Sequence, residues 1–177
     1  MSFSNRGLRG STFEEMINMT NDRLRNNGLA VVQKVPTPIT PVEINKENRT
    51  ITLAYFEKKS TVDYIGVVQG IPICFDAKET QIKNLPVGNI HRHQIEFMES
   101  FVKQQGIAFM LVNFALYDRF FFLPLEVLKE YWDIAQNGGR KSIPFADFDR
   151  KYEVQYIGGN LKYLDAINVY LEAMGAP

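Results

Sequence analysis

Asp63, Asp76 and Lys78 are the residues of this chain whose types and spacing best suit metal-assisted chemistry. Gln69 and Gly70 predict a two-residue turn between two β-rich runs. Val68 then faces Ile71, and stepping outward one residue at a time puts Asp63 directly opposite Asp76 and Thr61 opposite Lys78. Directly opposed residues have Cβ atoms about 4.5–5.5 Å apart. Strand side chains alternate, so Thr61, Asp63, Asp76 and Lys78 share one face.

Like charges placed opposite each other destabilise a hairpin. A divalent cation bound between them would remove that repulsion, and hard oxygen ligands at this spacing suit Mg²⁺ or Mn²⁺. Lys78 could steady a developing negative charge or orient an attacking water. An isolated D-x-K is ordinarily a surface ion pair, and the deduced opposition of the two acids is what distinguishes this one. Pro72 lies on the same face and predicts that part of the second strand is an edge or a bulge.

The flanking chain must position this hairpin. Residues 1–10 carry Arg6 and Arg9 among glycines, either a disordered tail or a DNA-contacting arm. Ser11 opens a helix with a capping box to Glu14. Phe13, Met16, Ile17 and Leu24 share its face, and Gly28 ends it. Glu14 therefore has a structural role already, with a supporting catalytic role as the alternative. A strand follows over 29–35. The proline-rich stretch from Pro36 to Pro41 then leads into a hairpin that turns at Asn45 to Asn48. This hairpin, spanning 35–56, either reaches a partner or packs over the sheet.

Beyond the acids, 80–89 reads as a polar loop and 91–105 as an amphipathic helix stopped by Gly106. Its start carries His91, Arg92, His93 and Gln94. His91 and His93 diverge if both are helical, so solvated or phosphate-facing histidines fit better than metal ligands. Gln94 either points towards the hairpin or lies on the surface. The unbroken apolar run 107–112 predicts a central strand. A strand over 119–123 and a helix started by Pro124 come next, with Leu125, Leu128 and Trp132 aligned. A last helix spans 161–174, with Leu164, Ile167, Leu171 and Met174 inward. Gly138 to Ser142 looks like half a phosphate-binding P-loop, but the upstream glycine is absent. Arg140 and Lys141 are a solvated turn or a phosphate contact.

At 177 residues, 45% hydrophobic and 12% aromatic, the chain predicts one globular domain. The lone Cys74 cannot form an intrachain disulfide, and its apolar surroundings make it inert. No apolar run is long enough for a membrane span and the N-terminus lacks a signal-peptide core, so a cytoplasmic location is expected. Twenty basic and twenty acidic residues cancel. That argues against a non-specific nucleic-acid coat but permits a local basic face.

Ser60 to Asp63, Phe75 to Glu79 and His91 to Gln94 resemble the RecU-type Holliday-junction resolvases, bacterial and phage nucleases of the PD-(D/E)xK, restriction-endonuclease-like class. Asn5 to Gly7, Lys34 to Pro38, Ala54 to Phe56 and Asn137 to Ile143 extend the resemblance over nearly the whole chain. It implies an α/β fold, a mixed sheet flanked by helices with a projecting stalk at 35–56. It implies a homodimer that nicks opposed strands of a four-way junction with Mg²⁺ or Mn²⁺, and a recombinase as a further partner. It carries the metal site to Thr61, Asp63, Asp76 and Gln94, with Lys78 as transition-state stabiliser. Gln94 enters as a ligand through the resemblance alone. Three departures stand out. Asp76 occupies a position where the family has Glu, Val62 replaces the nominal proline, and the arm is shorter than in many cellular members, which fits a phage origin.

Phosphate contacts are expected from Lys58, Lys59, Arg92, Arg140 and Lys141, together with Arg6 and Arg9 of the arm. Two other functions compete. One is a junction-binding or recombinase-regulating module with a vestigial nuclease site. The other is a metal-dependent nuclease acting on linear DNA.

Overall fold

The computed structural model describes residues 11–56 and 61–175. Helix α1 (Ser11–Asn26) buries Phe13 and Ile17, and Gly28 reverses the chain with φ +67°. The chain then enters β1 (Ala30–Lys34), an edge of a six-stranded mixed sheet ordered β1-β4-β5-β7-β8-β10. The capping box expected at Ser11 involves a side chain outside the described set.

At the centre, β4 (Tyr64–Val68) and β5 (Ile71–Thr80) form the expected hairpin. Gln69 and Gly70 have φ of 48° and 90°, the positive pair that a tight turn matching strand twist requires. Pairing runs without a bulge from Val68 opposite Ile71 to Tyr64 opposite Phe75. Pro72 sits opposite Val67, and the ladder on its other side begins only at Ile73. Its missing N–H therefore faces an unpaired stretch of edge, and no bulge is needed.

The chain crosses from β5 through α2 (Arg92–Lys103) to β7 (Ile107–Phe114), which pairs parallel to β5 and is buried along its whole length. This is the covered central strand that an unbroken apolar run predicts. Helix α2 ends at Lys103 with Gln104 as its cap, and the left-handed residue that follows is Gln105, with φ of 66°, and not Gly106. Gly106 is required for another reason: a Cβ there would lie 2.3 Å from the Phe101 ring. Strand β8 (Arg119–Pro124) returns antiparallel and β10 (Glu153–Val154) closes the far edge.

Two layers of helix cover the sheet. On one face, α2 and α3 (Leu125–Gln136) pack Ile95, Met98, Leu128 and Trp132 over Cys74, Met110 and Val112. On the other, α1 and α4 (Tyr163–Ala173) pack Phe13, Ile17, Tyr163 and Ile167 over Ile73, Phe75, Phe109 and Leu111. The fold is thus α/β, as expected.

Strands β2 (Ile39–Asn45) and β3 (Thr50–Phe56) form a separate two-stranded sheet. Ile44, Ile51, Leu53, Tyr55 and Phe56 all remain exposed, so this hairpin does not pack down over the main sheet.

Several expectations need correction. The 80–89 stretch is not only loop, because β5 runs on to Thr80 and β6 (Asn84–Pro86) pairs with β9 (Ser142–Pro144). Three-residue strands show no alternation to read, and here long-range pairing makes them. Helix α4 starts at Tyr163, since Leu161 lies in β12 (Asn160–Leu161), paired with β11 (Tyr156–Ile157). Its buried side chains are Tyr163, Ala166 and Ile167, while Met174 is exposed. Gly138 to Ser142 follows the C-terminus of α3, the opposite of a P-loop setting.

Candidate active site

The acids meet where β4 ends beside the middle of β5. The backbone ladder stops at Tyr64 opposite Phe75, one residue short of the expected Asp63–Asp76 step. At that point the chain bends, and the Asp63 carbonyl accepts the Val35 N–H at 2.8 Å. Hydrogen-bonded pairs in this hairpin recur every second residue, at Ile71, Ile73 and Phe75, so the next N–H aimed at β4 is that of Ala77. With β4 ended, the Asp63 carboxylate takes that N–H instead, Oδ2 accepting at 2.9 Å. A side chain thus completes the ladder and stays on the face where Asp76 lies.

Asp76 is fully buried. Its Oδ2 receives two donors, Lys78 Nζ at 2.8 Å and Gln94 Nε2 at 2.9 Å. Lys78 follows two residues later on the same strand face, three-quarters buried. Gln94 enters from the first turn of α2, and its Oε1 accepts the His91 N–H at 2.9 Å. Asp76 Oδ1 has no hydrogen-bond partner among the described residues. A buried carboxylate oxygen left bare costs about 1–3 kcal/mol or more, so this atom asks for a ligand.

Asp63 shows the same tension in its protonation. Burial and then the adjacent Asp76 charge push its carboxyl up to about 6 from 3.8, with the Ala77 N–H opposing them. Two carboxylates this close hold their full charge only beside a compensating cation. Among the described residues no group of three His, Cys, Asp or Glu stands together. The donor set is two carboxylates with polar neighbours, which fits a hard cation that keeps several of its own waters. Thr61 is half-buried two residues before Asp63, and no hydrogen bond joins it to either acid.

Glu14 is paired with Lys34 of β1, and Tyr64, the residue after Asp63, donates to Asn18 on the same helix as Glu14 at 3.1 Å. Arg92 lies 5.6 Å from the Trp132 ring centre as a cation–π pair, and Arg140 is 3.7 Å from Asp147. Lys141 is exposed. Arg6, Arg9, Lys58 and Lys59 are outside the described residues. The two histidines do not diverge. His91 is the extended N-cap, with φ −91° and ψ 148°, so its ring stacks on His93 at 5.4 Å. Burial pushes the Cys74 thiol well up, as an inert thiol requires. Sequence reasoning missed two backbone donors, Ala77 and His91. The spacing from His91 to Gln94 is that of a capping box, but an imidazole at the cap obscures the signal.

Comparison with known proteins adds family context. Residues 8–169 match the family model described as recombination protein U. A Holliday junction resolvase RecU from Oceanobacillus iheyensis is 43% identical over 147 residues, covering 81% of this chain and 74% of the relative. One from Pediococcus pentosaceus is 40% identical over 172 residues, covering 94% and 86%. One from Streptococcus pneumoniae is 40% identical over 176 residues, covering 97% and 85%.

Proposed function

The chain belongs to the recombination protein U family, and from that premise we propose that it is an endonuclease that resolves four-way DNA junctions by metal-dependent nicking of opposed strands. The observation that carries the site assignment is the bare Oδ1 of the buried Asp76 beside the partly buried Asp63. Asp63 and Asp76 would hold Mg²⁺ or Mn²⁺, with Thr61 and Gln94 completing the set that the resemblance implies. The bound cation supplies positive charge at the scissile phosphate.

The chain's own residues do the rest. Lys78 places an ammonium beside Asp76, where negative charge builds on the phosphate during displacement. Gln94 and Lys78 together fix one oxygen of Asp76. The surrounding core, with Val62, Cys74 and Ile95 fully or nearly buried, keeps water from relaxing that arrangement. The β2–β3 hairpin, exposed and apolar, is the element that engages the junction's centre. Selection rests on shape more than on base edges. Paired nicks across a junction need two sites related by a two-fold axis, hence a homodimer. A recombinase remains a further partner of the same reading.

Cleavage of a labelled four-way junction beside linear duplex, in Mg²⁺, Mn²⁺ or EDTA, tests this directly. Metal-dependent paired nicks confined to the junction are expected. Binding without nicks in either metal would leave a junction-binding module, and equal cutting of duplex would leave a general nuclease.

A further inference from the structure

We propose that the N-terminal arm docks on the body of the protein through Arg9, whose guanidinium donates to Glu79 and Asn113. Side chains alternate along β5, so Glu79 lies on the sheet face turned away from Asp76 and Lys78. The inference is therefore independent of the metal reading above.

Asn113 of β7 is only 8% exposed, and its Oδ1 has no hydrogen-bond partner among the described residues. Its Nδ2 donates to Glu79 Oε2 at 2.9 Å. Turning the amide over would set its carbonyl against that carboxylate, so the orientation stands and the oxygen needs a donor. A buried acceptor left bare is costly. Beside it stands the half-buried carboxylate of Glu79. Two acceptors side by side, one of them charged, suit a cation with several donors. A guanidinium presents five N–H groups in a planar fork and can serve both.

The ladder shows where that cation comes from. Asn113 lies opposite Glu79 on one side and opposite Phe120 on the other. Phe13 of α1 stacks on Phe120 with ring centres 5.7 Å apart. Helix α1 begins at Ser11, so residues 1–10 enter the fold beside this pair. Those ten residues hold two arginines and no acid. Arg9 stands four residues before Phe13, at most about 14 Å of chain at ~3.6 Å per residue. The cation next to Phe120 on β8 is Arg119, but it sits opposite Phe114 on the other face and is paired with Glu153. Docking of Arg9 keeps the positive arm beside the strand that bears Asp76, three residues from that acid.

Limited trypsin digestion of the full-length protein without DNA tests this, because a cut after Arg9 requires that side chain to leave its acceptors. Mass spectrometry reads the rates of cutting after Arg9 and after Arg6, the second serving as the reference. Glu79→Gln should speed the Arg9 cut by about tenfold, the worth of a hydrogen bond to a charged group, and leave the Arg6 cut unchanged. A helix that merely shields Gly10 would shield it equally in both proteins. Nitrogen-15 NMR of the wild type gives a second reading that needs no folded variant of Glu79. The Arg9 Nε–H signal, assigned by its loss in Arg9→Lys, should exchange about tenfold more slowly than that of Arg6. An unchanged ratio of the two cuts in folded Glu79→Gln overturns the proposal. So does an Arg9 Nε–H that exchanges as fast as that of Arg6, which would leave Asn113 to a buried water.

Discussion

Asp76 and Asp63 share one site but answer different tests, because only Asp76 is fully buried with two donors on a single oxygen. On the proposed metal reading, Asp76→Ala removes a ligand and frees the Lys78 ammonium, so cleavage should fall by about a thousandfold or more, while junction binding in EDTA persists. Cutting at the wild-type rate would sink the site assignment. Asp63 offers a test without DNA. In the unfolded chain it ionises near 3.8, and in the folded protein at about 6. Between those values the folded state holds a proton that the unfolded state has released. Its contribution is therefore complete below the lower value and lost as pH rises through the upper one. Metal-free protein should be less stable at pH 7.5 than at pH 5 by about 1.4 kcal/mol from this group, since the fall from 3.8 to 5 has already occurred at the lower pH. Asp63→Asn should shrink that drop, and Mg²⁺ should restore the wild-type loss at pH 7.5. A melting difference between wild type and variant that does not change with pH would contradict it.

The β4–β5 hairpin was legible because its information is local. Gln69 and Gly70 set the turn, the turn sets the register, and the register brings Asp63 to Asp76. What the register could not convey is that β4 begins only at Tyr64, just after Asp63, and that a side chain finishes the ladder. For Gln94 the residues alone left two directions open and only the resemblance placed it at the acids, since a bond between residues eighteen apart depends on where α2 lands. The short β6–β9 pair and the β11–β12 pair escaped for the same reason, being made by tertiary pairing with almost no pattern of their own. By contrast β7 announced itself through the unbroken apolar run 107–112, and the strand is buried over all of Ile107–Phe114. If the turn governs the site, Gly70→Val should cost about 1 kcal/mol or more, because φ of 90° strains a β-branched residue. It should also weaken Mn²⁺ uptake, read by calorimetry, and uptake unchanged in a destabilised variant would separate turn from site. The β2–β3 hairpin predicts the opposite split. Replacing residues 37–54 with a short Gly/Ser linker should spare Mn²⁺ uptake and abolish the preference for junction over duplex. Retained preference would remove the hairpin from junction recognition.

A chain with no net charge that must grip a polyanion has to concentrate its cations locally, and the described candidates are unequal. Arg140 is shared with Asp147 and Arg92 with the Trp132 ring, whereas Lys141 is exposed. Removing one phosphate-binding cation should lower the slope of log affinity against log salt by about one, so Lys141→Ala tests its place in that footprint without touching the acids. The deeper requirement at this scale is symmetry. One chain carries one pair of acids, and two opposed nicks demand two pairs placed by a two-fold axis. Mixed dimers expose that requirement. Wild-type protein co-folded with a tagged Asp76→Ala chain and purified as the heterodimer has one working site per complex. It should nick a four-way junction in one strand only and leave the opposed strand intact through a single binding event. A supercoiled cruciform substrate makes the distinction visible, since one nick yields an open circle and paired nicks yield a linear product. Open circles from the heterodimer and linear molecules from the wild-type dimer are expected. Linear product at the wild-type rate from the heterodimer would mean that a single site serves both strands, and the two-fold argument would fail.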